Sequence, residues 1–165
     1  MATAIFFGSN TGNCEDIAKM IAKDLGNIDI FNLAKTSIDK INDYDKLILG
    51  SSTWGDGELN DDWEDAWEDF KQIDISNKTV ALFGLGDQES YSEEFSNAIG
   101  IIYEHIKSTN AKVVGFTSTK GYYHDNSKAQ IGDEFVGLVI DEDNQSDLTK
   151  ERVTNWVNKI KDEIL

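Results

Sequence analysis

Short apolar runs alternate with longer segments of helical periodicity, and this alternation constrains the fold more than any other feature of the sequence. The first run, Ala2 to Phe7, ends at Gly8, and a polar loop then leads to apolar residues at helical spacing, Ile17, Met20, Ile21 and Leu25. The same order recurs along the chain. Because parallel strands need crossover connections, which are usually helical and right-handed, the pattern predicts an α/β fold: a doubly wound parallel sheet with helices on both faces.

The predicted sheet has five parallel strands, the last of them split by an insertion. The predicted strands are Ala2 to Phe7, Ile28 to Asn32, Lys46 to Leu49, Thr79 to Phe83, Lys112 to Phe116 and Phe135 to Ile140. Helices are expected after the first run, over Asp61 to Phe70, over Glu93 to Ser108, and after Leu148 with Thr149 as N-cap. The segment from Thr117 to Asp141 breaks the alternation and is interpreted as the insertion. A length of 165 residues fits a single domain over residues 1–165.

The charge and composition of the chain argue against several classes of binding partner and of site. The chain has 31 acidic against 15 basic residues, a formal net charge of -16, so it should repel nucleic acid and anionic lipid and favour basic partners. Cys14 is the only cysteine, which excludes an internal disulfide, and two histidines give no zinc-ligand set. No apolar run approaches the length of a membrane span and no leader pattern opens the sequence. We expect a cytoplasmic protein, and the charge favours a monomer.

The first candidate loop follows the first strand and reads Gly8-Ser9-Asn10-Thr11-Gly12-Asn13-Cys14. Ligands of open parallel sheets lie beyond the carboxyl ends of the strands, and here the free N–H groups of a helix N-terminus converge on that position. The loop could therefore hold a phosphate without a lysine or arginine. It matches neither the Walker pattern nor the dinucleotide fingerprint. An ordinary polar turn that caps a helix is the equally weighted alternative.

Two further loops each combine glycines, acids and one aromatic residue. Trp54 lies in Ser51 to Leu59, and Tyr91 ends the loop that starts at Gly84. A large ring on a glycine-rich loop favours stacking on a flat ligand, so Trp54 and Tyr91 could form two walls around a planar ring while backbone groups contact a uracil-like edge. The alternatives are a Trp54 ring folded back onto the domain and a Tyr91 that is merely a surface residue.

With these loops the sequence resembles the flavodoxin family, in its long-chain branch, from end to end. The matching stretches are Ser9 to Cys14, Thr53 to Leu59 with Asp62 and Trp63, Gly84 to Gln88 with Tyr91, Ser127 to Ala129, and Phe135 to Leu148.

The resemblance implies a non-covalently bound flavin mononucleotide (FMN), with no metal and no catalytic residue. It implies that the first loop binds the phosphate, that Trp54 and Tyr91 cover the two ring faces, that Asp87 lies at the pyrimidine edge and that Asp143 approaches the ribityl chain. The implied cofactor-binding residues are Ser9, Asn10, Thr11, Gly12, Asn13, Cys14, Ser52, Thr53, Trp54, Gly55, Asp56, Gly57, Gly84, Leu85, Gly86, Asp87, Tyr91 and Asp143.

The implied function is low-potential one-electron transfer through the neutral semiquinone/hydroquinone couple, without a substrate of the chain's own. The implied partners are redox proteins with basic patches, such as an NADP-linked flavodoxin reductase or a pyruvate oxidoreductase. A hypothesis for the first reduction step is that the Gly55–Asp56 peptide rotates so that its carbonyl accepts a hydrogen bond from the proton gained at flavin N5, and a glycine makes this rotation easy. For the second step, one carboxylate at about 10 Å and an effective dielectric of about 20 opposes an anionic flavin by about 1.7 kcal/mol, roughly 70 mV before salt screening. Asp56, Glu58 and Asp87 are the candidates.

The first loop departs from the family pattern at both ends. Ser9 and Cys14 stand where the family usually has threonine, and a thiol is a weak donor. We expect a lost phosphate contact to cost about 0.5 to 1.5 kcal/mol.

Two other classes of protein remain as alternatives. A flavin-dependent quinone or nitro reductase could use the same loops, and it would differ by turning over a quinone with NAD(P)H alone. A protein-interaction module would bind no flavin. A response-regulator receiver is excluded, because the positions after the first and third strands carry Gly-Ser-Asn and Ser-Ser-Thr-Trp instead of the required acids.

Overall fold

The computed structural model describes residues 2–8, 12–54 and 57–165, with Trp54 described by its backbone only. Its strands are β1 (Thr3–Gly8), β2 (Asp29–Asn32), β3 (Lys46–Trp54), β4 (Glu58–Leu59), β5 (Thr79–Leu85), β6 (Lys112–Val114), β7 (Thr117–Ser118), β8 (Gln130–Ile131), β9 (Glu134–Phe135) and β10 (Leu138–Ile140). Its α-helices are α1 (Asn13–Asp24), α2 (Asp61–Gln72), α3 (Asn97–Lys107) and α4 (Thr149–Ile164). Short 3-10 helices span Ile38–Asp43 and Ser146–Leu148.

The central sheet is parallel and has the order β2-β1-β3-β5-β10, which confirms the predicted fold class. The fifth strand is split as predicted. The first half of β5 pairs with β6, from Thr79 opposite Lys112 to Ala81 opposite Val114. The last residues of β5 pair with β10, from Phe83 opposite Leu138 onward. Residues 115–137, which we call the insertion, leave and rejoin the sheet between these two halves.

Both faces of the sheet are buried because successive residues of each strand point to opposite sides. In β1, Ala4 and Phe6 pack in the cluster that contains the buried residues of α2 and α3. Ile5 and Phe7 pack in the other cluster, which contains those of α1 and α4. The same alternation holds along β3 and β5. The near-continuous apolar runs in the sequence therefore reflect strands that are covered on both sides.

Trp63 joins α2 to the sheet. Asn60 caps the helix, since its Oδ1 accepts from the N–H groups of Asp62 at 3.0 Å and Trp63 at 3.3 Å. The buried indole of Trp63 then donates to the carbonyl of Gly50 at 2.8 Å. The buried face of α2 thus covers β3 at Gly50.

Three sequence predictions were wrong in detail. The helix expected from Glu93 begins at Asn97, because Ser96 has a left-handed φ of 51° that interrupts a helix. Thr149 is the first residue of α4 and not its cap, and its buried hydroxyl has no hydrogen-bond partner in the described part of the chain. The predicted run from Phe135 to Ile140 is two strands, β9 and β10, divided at Gly137.

The insertion forms a small antiparallel sheet of its own, in the order β7-β9-β8. Thr117 pairs with Phe135, and Phe135 also pairs with Gln130. Phe135 is fully buried in the main core and packs at the edge of Phe95, with ring centroids 6.0 Å apart, so the insertion is attached to the main core. No helix in the described ranges has the length and apolar content needed to cross a bilayer.

Candidate functional site

The strand register brings the three candidate loops to one edge of the sheet. Gly8 at the end of β1 lies opposite Ser51 of β3, and Ser52 lies opposite Leu85 at the end of β5. The loops after β1, β3 and β5 therefore leave the sheet side by side, at what we call the carboxyl edge. This is where a ligand of an open parallel sheet is expected.

Part of the predicted site lies outside the described residues. This applies to Ser9, Asn10, Thr11, Gly55 and Asp56, and to the side chain of Trp54. Their assigned roles, including rotation of the Gly55–Asp56 peptide, stay predictions.

The N-terminus of α1 lies at the carboxyl edge directly after the first loop. Gly12 precedes the helix with a φ of 89°, a left-handed conformation that glycine adopts without strain. No side-chain cap serves the first turn that begins at Asn13, among the described residues. A helix N-terminus at this place directs backbone N–H groups toward the position where an anion could bind.

Cys14 faces the core and not the carboxyl edge. Its side chain is fully buried in the apolar cluster formed with residues such as Ile17 and Ile21 of α1. This burial raises the pKa of the thiol well above its ordinary range. Any contact of Cys14 with a phosphate would consequently come from its backbone N–H, and its thiol is a structural, unreactive group.

The chain turns back after β3, so that the end of β3 pairs antiparallel with β4, with Thr53 opposite Leu59. Gly57 has a φ of 93°. A Cβ atom added there would lie 2.5 Å from the side-chain nitrogen Nδ2 of Asn97, so the backbone passes close to α3. The Thr53 hydroxyl accepts from the N–H of Ala98 at 3.2 Å and so fixes the start of that helix. The Ser52 hydroxyl, by contrast, is buried and has no partner among the described residues.

The loop after β5 contains glycines, Asp87 and Tyr91, as predicted from the sequence. The N–H of Gly86 donates to the carbonyl of Ile140 at 3.1 Å and so ties the loop to β10. The Asp87 carboxylate accepts from the N–H groups of Glu89 at 3.1 Å and Ser90 at 2.9 Å. Tyr91 is 47% exposed, so much of its ring is available to a ligand or partner.

A buried carboxylate, Asp141, connects this loop to the end of β10. Asp141 is fully buried and accepts from the N–H and the side-chain amide of Gln88, at 3.1 Å and 2.7 Å. It also accepts from the N–H of Asn144 at 3.0 Å and from the Asn144 amide at 2.9 Å. The side-chain carbonyl oxygen of Gln88, Oε1, in turn accepts from the N–H of Tyr123 in the insertion at 2.6 Å. We call Asp141, Gln88 and Asn144 the Asp141 network.

Three carboxylates converge beside this network, since oxygens of Asp87, Asp141 and Asp143 lie within 4.8 Å of one another. Burial alone would raise the pKa of Asp87, but hydrogen bonds from Ser90, Asn144 and Glu89 outweigh it and lower that pKa. The pKa of Asp143 is raised by desolvation and by the charges of Asp87 and Asp141. The Asp141 oxygens are already engaged by amide donors, so the group is a hydrogen-bonded acidic cluster.

The described part of the carboxyl edge can thus bind an anion and a flat polar ring. The anion would lie at the N-terminus of α1, and the ring would lie between the loops after β3 and β5, with Tyr91 exposed beside them. The acidic cluster gives the ring end of the site a negative potential. These features define a doubly wound α/β protein with a ligand site at its topological switch point.

Comparison with known proteins gives the family. The flavodoxin family model matches residues 5–156. The chain is 49% identical over 157 residues to a flavodoxin of Helicobacter pylori, with 95% of this chain and 94% of the relative covered. It is 48% identical over 165 residues to flavodoxin 1 of Escherichia coli, with coverage of 98% and 94%. The chain belongs to the flavodoxin family.

A solved structure agrees with the fold. The crystal structure of Fusobacterium nucleatum flavodoxin bound to flavin mononucleotide has a TM-score of 0.93 to this chain at 32% identity, and 99% of each chain is covered. Flavodoxins are electron-transfer proteins and not enzymes with substrates. The sequence prediction of the family is therefore confirmed.

Sequence reasoning brought the right loops together but missed the residues that hold them. Carboxylate oxygens of Asp87 and Asp143 lie within 4.8 Å of each other, and the roles predicted for these residues toward the cofactor stay predictions. Gln88, Asp141 and Asn144 were not singled out, although they connect positions more than 50 residues apart. The available signal was the polar Asp141-Glu142-Asp143-Asn144 segment placed directly after the buried run that forms β10.

Proposed function

We propose that this chain transfers single electrons at low potential on a non-covalently bound FMN, as one domain over residues 1–165 and as a member of the long-chain branch. The observation that carries the proposal is the register that aligns the ends of β1, β3 and β5 at one edge. Membership of the flavodoxin family and the similarity to an FMN-bound relative support it.

The described residues fit FMN at its phosphate end. The first turn of α1 has no side-chain cap among them, and Gly12 leaves space at its entrance, since a Cβ added there would meet no heavy atom within 4 Å. A helix N-terminus contributes about 0.3 to 1 kcal/mol to binding a charge of this sign. Backbone N–H groups of Asn13 and Cys14, with Ser9, Asn10 and Thr11, would hold the phosphate without a cationic side chain.

The residues also fit the ring end. The buried Ser52 hydroxyl, which has no hydrogen-bond partner among the described residues, lies at the carboxyl edge and could donate to a ligand atom. The exposed Tyr91 ring would cover one face of the flavin and Trp54 the other, with Asp87 at the pyrimidine edge and Thr53 and Gly55 along the other side of the ring. Asp56, Gly57, Gly84, Leu85 and Gly86 complete the proposed ring contacts, and Asp143 would approach the ribityl chain.

Charge at the ring end favours a low potential. Bound FMN supplies a ring that accepts and releases electrons one at a time. Hydrogen bonds keep the pKa of Asp87 low, so its carboxylate is ionised at neutral pH and opposes added negative charge. Asp143 adds a second, more exposed charge near it.

The surface charge supports transient docking to basic partners. A net charge of -16 would steer encounters with a reductase or oxidoreductase that presents a basic patch, of the NADP-linked flavodoxin reductase or pyruvate oxidoreductase type. The same charge opposes self-association, nucleic acid and anionic membranes, so we propose a cytoplasmic monomer.

Stepwise anaerobic reduction of the purified protein, followed by visible absorption, tests the proposal. We expect the spectrum of an oxidised flavin and two separate one-electron steps, the second at low potential. A colourless protein that does not take up added FMN would contradict the proposal. Rapid quinone reduction with NAD(P)H alone, without a separate reductase, would instead identify a flavin-dependent reductase.

A further inference from the structure

A cavity lies away from the carboxyl edge. It has a volume of about 320 Å³ and is formed between the insertion and one side of α4. No described residue of the loops after β1, β3 or β5 lines it. Its polar lining includes Ser118, Lys120, Tyr122, Arg152, Asn155 and Lys159. We call this cavity the basic pocket.

The basic pocket is made by one helix face and one loop. Arg152, Asn155 and Lys159 follow each other at intervals of three and four residues, so α4 presents them on the same side. The insertion contributes Ser118 and Lys120 from the opposite wall. Two separate elements thus bring three cations to one cavity in a chain with net charge -16.

Arg152 is held in place without using its hydrogen-bonding capacity. It is the only arginine of the chain, and its guanidinium carbon lies 4.0 Å from the centre of the Tyr122 ring. This cation–π contact fixes the plane of the guanidinium. Its Nη1 is buried and has no hydrogen-bond partner among the described residues. A buried unpaired donor is costly, and a small movement of the side chain toward the cavity would let a ligand oxygen accept from it.

The cations of the basic pocket have no internal counter-ion. Among the described residues, no carboxylate lies within 4.0 Å of the side-chain nitrogens of Lys120, Arg152 or Lys159. Lys159 donates one hydrogen bond to the carbonyl of Phe116, which places its ammonium group and leaves two donors. Acidic residues elsewhere on the surface repel an anion in the basic pocket only weakly, because salt screens the interaction of exposed charges that are more than roughly 8 Å apart.

We propose that the basic pocket binds a small molecule that bears a dianionic phosphate group. The planar fork of Arg152 matches two phosphate oxygens, and the two lysines neutralise the charge. The Ser118 hydroxyl and the Asn155 amide are neutral donors at the rim. The cavity is larger than a bare phosphate and falls within the usual range of ligand sites, so the phosphate is attached to a further group.

Titration of the FMN-loaded protein with pyrophosphate at constant ionic strength tests this proposal. Since the chain has one arginine, the Arg152 Nε–H resonance in a 1H–15N NMR spectrum reports the basic pocket without ambiguity. This readout does not depend on the proposed cofactor, because it can be recorded with or without bound flavin. We expect a shift of this resonance that saturates with pyrophosphate.

Matched variants separate a specific site from general charge. By calorimetry, Arg152→Gln and Lys159→Gln should each weaken pyrophosphate binding roughly tenfold. Lys150→Gln removes the same charge from an exposed position of α4 that does not line the basic pocket, and should change binding by less than about twofold. Equal losses in all three variants, or a shift that rises without saturation, would overturn the proposal. If Arg152→Gln does not fold, Lys159→Gln at its exposed position provides the same comparison.

Discussion

The acidic cluster at the carboxyl edge and the basic pocket beside α4 differ in whether their buried charged groups have hydrogen-bond partners. In the acidic cluster the most buried carboxylate, Asp141, accepts several hydrogen bonds from Gln88 and Asn144. In the basic pocket Arg152 has a ring contact, and its buried Nη1 has no hydrogen-bond partner among the described residues. The acidic cluster is thus completed by the protein itself, whereas the basic pocket still has donors to offer.

This difference shows why charge alone does not identify a binding site. A buried charge whose partners all come from the fold stabilises loops, and its removal leaves those partners unpaired. A fixed charge without partners contributes little to the stability of the fold. It forms its strongest interactions only when a ligand binds. The two regions should therefore respond differently to substitution.

The largest expected effect comes from removing the central carboxylate of the acidic cluster. Asp141→Val leaves the buried donors of Gln88 and Asn144 unpaired and should lower the free energy of unfolding by about 3 kcal/mol in a urea titration. Asp141→Asn keeps one acceptor oxygen and should lose about 1 kcal/mol. Lys120→Gln in the basic pocket is the control and should change stability by less than about 0.5 kcal/mol. Similar losses at Asp141 and Lys120 would contradict the contrast between the two regions.

A smaller effect is expected when a charge beside the proposed flavin is removed. Asp87→Asn should raise the second midpoint potential of the bound flavin by up to about 70 mV, because one opposing charge at about 10 Å is lost. Asp162→Asn removes an equal charge from the last turn of α4, which runs away from the carboxyl edge, and should change the potential far less. Equal shifts in the two variants would mean that only net charge matters.

The smallest effects concern pH, and two neighbouring carboxylates should differ in sign. The pKa of Asp87 is lowered in the folded protein, so its ionised form stabilises the fold above the unfolded pKa of about 3.9, and this contribution is lost as pH falls through the lower folded pKa. The pKa of Asp143 is raised, so its contribution is complete below about 3.9 and is lost as pH rises through the folded value.

Urea unfolding of the two variants at pH 7 and pH 3 measures this difference. At pH 7, Asp87→Asn should be less stable than the unsubstituted protein by about 1 kcal/mol. Asp143→Asn should be equal or slightly more stable, by less than about 0.5 kcal/mol because Asp143 is exposed to solvent. Both differences should shrink at pH 3. A loss of the same size and sign in the two variants would refute the assignment of opposite shifts.

The sheet was predictable because its strands are covered on both faces. Runs such as Ala2 to Phe7 and Thr79 to Phe83 have no other stable position in a small α/β protein, and β1 and β5 contain them almost residue for residue. Glycine and polar residues after each run located the loops, and the predicted parallel direction of the strands placed these loops at one edge of the sheet.

The connections within the site were not predictable in the same way. The bond between Gln88 and Asp141 joins distant positions whose side chains show no periodicity. The late start of α3 depends on Ser96, whose left-handed backbone no local pattern indicates. The strands β7, β8 and β9 have two residues each, too few for an alternation to be recognised. Arg152 lies in the first turn of α4, and its contact with Tyr122 depends on the path of the insertion.

Strands β6 and β10 pair with successive parts of the same edge of β5. This arrangement affects how insertions and deletions can change the length of such a chain. Ala81 faces Val114 and Phe83 faces Leu138, so a regular parallel strand would place one residue opposite Leu82. Gly137 already lies against Leu82, where a Cβ would come within 2.1 Å of the Leu82 carbonyl oxygen. Excision of residues 115–136 would therefore join the two halves in register, and the loss would fall on the packing of Phe135 and Val136 instead of on the sheet. The backbone pairing at this boundary stays the same whatever the number of residues in the insertion. Genetic insertions and deletions can therefore occur there without breaking the sheet.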